Sequence, residues 1–180
     1  TGDARQALTA FEVCCSLATD KHITLEHATT ALDTSVSRLG RDDHYDVISA
    51  FIKSMRASEV DIALHWLARM VEAGEDPRFI ARRMMIFASE DVGMADSAAL
   101  PFTVAVAESL DRVGLPEALH QLAHGVVYLA LAPKSRSITD AISAAMEDVR
   151  SGHTGQAPAT TQNPPSYRPI GVDDFRYYRG

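Results

Sequence analysis

Apolar residues recur at three- and four-residue intervals through most of the chain, and the strict alternation a half-buried strand requires is scarce before residue 151. This pattern predicts an all-α, multi-helix bundle of about seven to eight helices with an irregular C-terminal tail. The first helix, from about Asp3 to Thr19, places Ala7, Leu8, Phe11, Cys14, Cys15 and Ala18 on one stripe. A second begins after Ile23, with Thr24 as N-cap and Glu26 in its first turn, and turns Leu25, Ala28 and Leu32 inward. Residues 33–42 read as a polar connector. From His44 to about Ala57, Tyr45, Ile48, Phe51, Ile52 and Met55 keep helical spacing. Ser58-Glu59-Val60-Asp61 resembles a capping box and opens a helix through Leu64, Leu67, Ala68 and Val71 that stops at Gly74. Asp76-Pro77 supplies N-cap and first helical position for the next, which runs to about Val92 and ends at Gly93. Asp96 caps another, and Pro101 just past its first turn predicts a kink before Val113 and Gly114. Pro116 starts a helix ending at Ala132-Pro133, and a last one spans about Ser137 to Arg150.

One of these helices differs from the rest. Leu119, Leu122, Ala123, Val126, Val127, Leu129, Ala130 and Leu131 make its second half apolar nearly all round. Such a helix needs partners on every side, so it is either central in the bundle or completed by another subunit. Self-association is a reasonable expectation from this alone.

Charge and composition narrow the classes. Of 180 residues, 17 are Lys or Arg and 24 Asp or Glu, for a net charge of -7, which excludes a whole-surface attraction to nucleic acid or anionic lipid. Any such contact is a local patch. No apolar run reaches the roughly 18–20 residues of a membrane span, and Cys14 and Cys15, adjacent in sequence, cannot close an unstrained disulfide, so we expect a cytoplasmic protein. Residues 1–150 carry 14 basic and 22 acidic side chains, whereas 151–180 carry three Arg and two Asp, and the break falls at Ser151-Gly152. From Gly155 to Pro165 the composition is that of a linker. The stretch Tyr167 to Tyr178, with Ile170, Val172, Phe175 and Tyr177, reads either as an extended segment that docks on something or as a disordered end. The lack of an initiator Met, with helical pattern from the outset, leads us to expect a piece of a longer protein.

Few residues suggest chemistry. No Gly-rich phosphate loop, nucleophile elbow or HExxH occurs, and no metal site is expected. His120 and His124 share a helix face but lack a third ligand at supporting spacing. Glu90-Asp91 lies near a helix C-terminus, where the macrodipole disfavours anions, so partners are expected, and Arg83 is the nearest candidate upstream. Arg78, Arg82 and Arg83 form a small basic patch, suited either to phosphate or a partner protein or to pairing with acids such as Glu75. Lys134-Ser135 offers a cation and a hydroxyl at a helix junction, where Ser135 or Ser137 is expected to cap the last helix. Gly2-Asp3-Ala4-Arg5 puts a guanidinium one turn into a helix, placed to take phosphate oxygens bidentately.

That last run resembles the sensor-2 motif in the lid of AAA+ ATPases, and longer words extend the likeness. Tyr45-Asp46-Val47-Ile48-Ser49-Ala50-Phe51-Ile52-Lys53-Ser54, Trp66-Leu67-Ala68-Arg69-Met70, Ala73-Gly74-Glu75-Asp76-Pro77, Phe79-Ile80-Ala81-Arg82-Arg83, Ala88-Ser89-Glu90-Asp91-Val92-Gly93 and Tyr128-Leu129-Ala130-Leu131-Ala132-Pro133-Lys134-Ser135 are similar to the C-terminal half of the RarA/MgsA family. These are replication-associated recombination ATPases, related to the Werner-helicase-interacting ATPase of eukaryotes. The resemblance covers about residues 1–150, and the tail from Gly152 loses the pattern.

The resemblance implies that residues 1–43 are the end of the AAA+ lid and its connector, 44–150 a helical oligomerisation domain that assembles homotetramers, and 151–180 a linker and tail. It implies that Arg5 is the sensor-2 arginine, touching ATP phosphates only together with an ATPase core whose Walker loops are not on this chain. The fragment itself is then no enzyme and holds no cofactor, while the longer protein would use ATP and Mg for work at replication forks, in recombination and in repair. Its implied partners are copies of itself, single-strand-binding protein and DNA, with no membrane, in the cytoplasm at the nucleoid. Two further readings are kept: a helical adaptor that docks a replication partner such as single-strand-binding protein, and a free-standing enzyme using His120, His124 or Glu90.

Overall fold

A computed structural model of the chain describes residues 11, 14–18, 22–34, 41–158, 167–172 and 176–179. Residues 11 and 14–17 are helical, and the α-helices described over their full length are α1 (Leu25–Thr34), α2 (Arg41–Arg56), α3 (Val60–Glu72), α4 (Pro77–Phe87), α5 (Ala99–Val113), α6 (Leu119–Leu131) and α7 (Ser137–Arg150). The fold is the all-α bundle that the spacing predicts, and it contains no strand among the described residues, only an isolated bridge from Gln156 to Ile170. Most of the first predicted helix, including Arg5, lies outside the described residues, as do residues 35–40 of the connector and 159–166 of the tail.

α6 is the axis. It packs against α2, α3, α4 and α5, burying Leu122, Gly125, Val126, Leu129 and Ala130. Of the two partnerships open to so apolar a helix, the bundle itself supplies the cover over most of its length. Phe51 and Met55 of α2, Leu67 and Met70 of α3, Ile80, Met84 and Phe87 of α4, and Val106 of α5 complete the core around it. Gly125 lets α4 and α5 close on this axis, since a Cβ there would overlap Met84 Cε and sit 3.3 Å from Val106 Cγ2.

Helix ends follow their local chemistry, with some departures from expectation. At α1, Thr24 Oγ1 accepts from His27 N–H at 3.2 Å while His27 Nδ1 accepts from Thr24 N–H at 3.3 Å, a reciprocal cap with His in the usual Glu or Gln role. Leu25, expected inside, is 85% exposed, because at the first helical position its side chain lies at the open end of α1. Ser58 does not cap α3. It sits at φ +60° and closes α2 in a Schellman arrangement, with Ser58 N–H on Met55 C=O and Glu59 N–H on Ser54 C=O, so its backbone is committed to the preceding helix. Gly74 closes α3 in the same way, as predicted. Pro101 falls on the third residue of α5, where the missing N–H is an orphan anyway, so it removes no helical hydrogen bond. α4 stops as an α-helix at Phe87 and continues as a single π-helical turn, Ala88–Val92, before Gly93.

The described tail is not detached. Gln156 and Ile170 exchange backbone hydrogen bonds at 3.0 and 2.8 Å, and Tyr177 donates its hydroxyl to Asp148 of α7 at 2.7 Å. Of the two readings of the segment, docking is the one these contacts favour among the described residues, with Tyr177 reaching its own last helix.

Candidate functional site

The π-helical turn is where the chain concentrates buried charge. Widening the helix by one residue turns Asp91 inward, to 2% exposure, and leaves Glu90 in solvent. A buried carboxylate at a helix end needs compensation, and Arg56 at the end of α2 supplies it bidentately: Nε to Oδ1 at 2.6 Å and Nη2 to Oδ2 at 3.1 Å. Arg136 stands 3.9 Å from the same Oδ1. The carboxylate holds the Arg56 guanidinium even more firmly protonated than usual, mainly through these hydrogen bonds, with partial burial working against it. The expected partner of the Glu90-Asp91 pair is thus present, but it is Arg56, 35 residues upstream, and not Arg83.

The same turn anchors the last helix. Ser135 N–H donates to Asp91 C=O at 2.7 Å, and Thr139 Oγ1 donates to Glu90 C=O at 3.0 Å. Gly93, at φ +51°, brings its backbone so near that a Cβ would lie 2.9 Å from Ser135 C=O. Lys134 Nζ donates to Ala130 and Ala132 carbonyls at 2.7 and 2.6 Å and to Ser58 Oγ at 3.2 Å, capping α6 with a cation where the dipole favours one. Desolvation lowers the Lys134 pKa, opposed by the charge of Asp91. Ser135 Oγ accepts from Ser137 N–H at 3.3 Å, so the expected serine does tie down the start of α7.

The three arginines of the sequence patch face different surroundings. Arg78 Nε donates to Asp111 of α5 at 2.6 Å, Arg82 lies over the Phe79 ring at 5.8 Å, and Arg83 lines a separate cleft between α2 and α4. That cleft has a volume of about 550 Å³. From α2 come Tyr45, Ile48, Ser49, Ile52, Lys53 and Arg56; from α4 come Phe79 and Arg83. Arg83 Nε is buried there without a hydrogen-bond acceptor. Sequence reasoning passed over Lys53 and Arg56, although Tyr45, Ser49, Lys53 and Arg56 recur at helical spacing as a polar edge beside the apolar stripe. His124 packs edge-on against Phe102, with ring centroids 5.0 Å apart, and His120 is exposed one turn away. No group of three metal-ligating side chains occurs among the described residues. No described helix is long and apolar enough to cross a membrane.

Comparison with known proteins fits these elements. The profile of the MgsA AAA+ ATPase C-terminal region matches residues 57–179, and that of the AAA C-terminal domain matches residues 1–56. The two meet in the turn between α2 and α3, so the Arg56–Asp91 pair joins one to the other. The first match continues through the tail, which corrects the expectation that the family pattern is lost from Gly152 onward. An uncharacterized AAA domain-containing protein of Mycobacterium tuberculosis is 52% identical over 88% of this chain and 36% of its own length. Replication-associated recombination protein A of Bacillus subtilis is 43% identical over 87% of this chain and 39% of its own. ATPase WRNIP1 of Dictyostelium discoideum is 44% identical over 54% of this chain and 11% of its own. The chain thus spans well under half the length of these relatives. It belongs to the RarA/MgsA family of AAA+ ATPases, of which it represents the C-terminal region.

Proposed function

We propose that the chain is the lid end and oligomerisation module of a RarA-like AAA+ ATPase working in replication-fork maintenance, recombination and repair, and that these residues do no catalysis themselves. In this reading residues 1–43 end the lid, 44–150 assemble homotetramers and 151–180 form a linker and tail. Arg5, outside the described residues, reports ATP phosphates to the lid, while ATP and Mg are held by a core elsewhere in the longer protein. Single-strand-binding protein and DNA are that protein's partners, met in the cytoplasm at the nucleoid. The name of the Bacillus relative, a replication-associated recombination protein, supports the setting.

The observation that carries the assembly role is a half-exposed apolar row along α7. This 14-residue helix buries none of its residues, yet Ile138, Ile142, Met146 and Val149 form one apolar row along it, each 40–56% exposed. Leu131, at the end of α6, adds another exposed apolar side chain at 67%. Such a row on an amphipathic helix is the form that a subunit contact takes, and joining motor domains raises their effective concentration on DNA without strong contacts from this acidic module. Light scattering over a dilution series tests it. A tetramer that Ile142→Asp with Met146→Asp reduces to monomer is the expected result, and a wild-type monomer at every concentration overturns it.

A further inference from the structure

We propose that the cleft between α2 and α4 binds a phosphate monoester carrying a ring, a ligand of mononucleotide size. Its volume of about 550 Å³ suits such a molecule. Three cations line it, and one of them is already matched, because Asp91 takes both the Nε and Nη2 of Arg56. Lys53 and Arg83 have no acidic partner within salt-bridge distance among the described residues. The uncompensated charge is therefore close to +2, which a phosphate monoester of roughly -1.5 to -2 neutralises and a single carboxylate does not. Arg83 Nε adds a specific demand. It is a buried donor without an acceptor, a costly arrangement that an oxygen of the ligand relieves.

The rest of the lining suits the other half of the molecule. Ile48 and Ile52 make an aliphatic wall, while Phe79 and Tyr45 add aromatic rings, with Arg82 over the Phe79 ring on the α4 side. An extended strand is disfavoured as the main ligand, since the chain as a whole is acidic and Asp46 and Glu75 are exposed or half-exposed near the ends of the cleft-lining segments. The phosphate arrives either on a free mononucleotide or at the terminus of a nucleic-acid strand, and both present the same chemistry.

Calorimetric titration of the 180-residue chain with AMP, adenosine, a 5′-phosphorylated oligothymidylate, its unphosphorylated counterpart and the peptide Asp-Asp-Phe tests this. AMP has no β- or γ-phosphate, so it does not report on the phosphates assigned to Arg5. Binding of AMP with adenosine at least about tenfold weaker is expected, and Lys53→Gln and Arg83→Gln should each weaken AMP by about tenfold while Arg78→Gln does not. Lys53 is exposed, so its variant keeps the fold even if the Arg83 variant does not, and circular dichroism checks both. If the phosphorylated oligonucleotide outcompetes AMP, the strand terminus is the source; if it does not compete, the free nucleotide is. The proposal is overturned by equal binding of adenosine and AMP, by AMP binding that neither variant weakens, by preference for the acidic peptide, or by no binding at all. The site stands apart from the assembly role: Lys53→Gln should weaken AMP binding by that tenfold with the mass unchanged, and the α7 variant should lower the mass with AMP binding unchanged.

Discussion

α6 and α7 follow one another, are 13 and 14 residues long, and have opposite fates. α6 touches four helices and buries five residues, whereas α7 rests on the turns at Ala88–Val92 and Gly93–Ala95 and buries none. The difference is one of pattern more than of apolar content. α6 is apolar around most of its circumference and can only be stable inside, while α7 gathers its apolar residues into a row and tolerates water on the other side. A helix held chiefly by the Ser135 N–H just before its start and by its own Thr139 hydroxyl, both donating to carbonyls of one neighbouring turn, is positioned without being consumed by the core. That leaves its row available to something else.

The largest expected effect comes from removing a side chain that only α6 can lose so dearly. Leu129 is fully buried among the core residues, and Leu129→Ala should lower unfolding stability by about 2–5 kcal/mol, the usual cost of a core cavity. Urea denaturation followed by circular dichroism measures it. A loss below about 1 kcal/mol would mean that α6 is not the axis of the bundle.

The next effect probes how α7 is held. Asp91→Asn breaks the bidentate pair with Arg56 while preserving shape, and should cost about 1–2 kcal/mol, reduced from the value of a fully buried pair because the Arg56 side chain is 45% exposed and screened by solvent. Hydrogen exchange should show the added opening at the 88–92 turn and the start of α7, with α6 little changed. Uniform acceleration across α6 as well would erase the distinction between the two helices.

How much of this was legible in the sequence differs between them. The apolar second half of residues 119–131 announced a helix needing cover on all sides, and the bundle provides it over most of its length. The words from Tyr45 to Ser135 carried the family. Other features were hidden because they depend on which distant elements meet. Asp91 signalled the need for a cation, but nothing in the spacing selects Arg56 over the nearer Arg83; only the packing of α2 beside the π-helical turn does. Ser58 failed as a helix start because the preceding helix claimed its backbone first. The cleft takes one edge from α2 and another from α4, and neither edge alone looks like a site. The tail carries too little periodicity to reveal that Tyr177 reaches back to Asp148.

A matched pair of tyrosines compares the two helices by titration. Tyr128 of α6 donates to Asp96 at 2.5 Å, and Tyr177 of the tail donates to Asp148 of α7 at 2.7 Å. In each case the hydrogen bond to the carboxylate, aided by desolvation and by the carboxylate charge, raises the phenol pKa above its ordinary value near 10. A raised folded-state pKa means that each bond stabilises fully below the unfolded value and is lost as pH climbs through the folded one. Spectrophotometric titration should show two late tyrosines, one removed by Tyr128→Phe and the other by Tyr177→Phe. Above that window the tail should leave α7, while α6 stays in place through its apolar contacts. Identical titration curves for wild type and both variants would show that these bonds do not form.

The smallest effect on stability is the most informative about α7. Ile142→Ser replaces a side chain that is 56% exposed in a helix without buried residues, so in a dilute monomer it should change unfolding stability by no more than about 0.5 kcal/mol. If α7 meets a second copy, the same substitution becomes costly as concentration rises, because burial exists only in the assembly and stability is then linked to subunit concentration. The measurement is thermal unfolding of wild type and variant at two concentrations a hundredfold apart. A gap that opens with concentration ties the exposed row to assembly. A gap of several kcal/mol already present at high dilution would instead place Ile142 in the monomer core and make α7 a second α6.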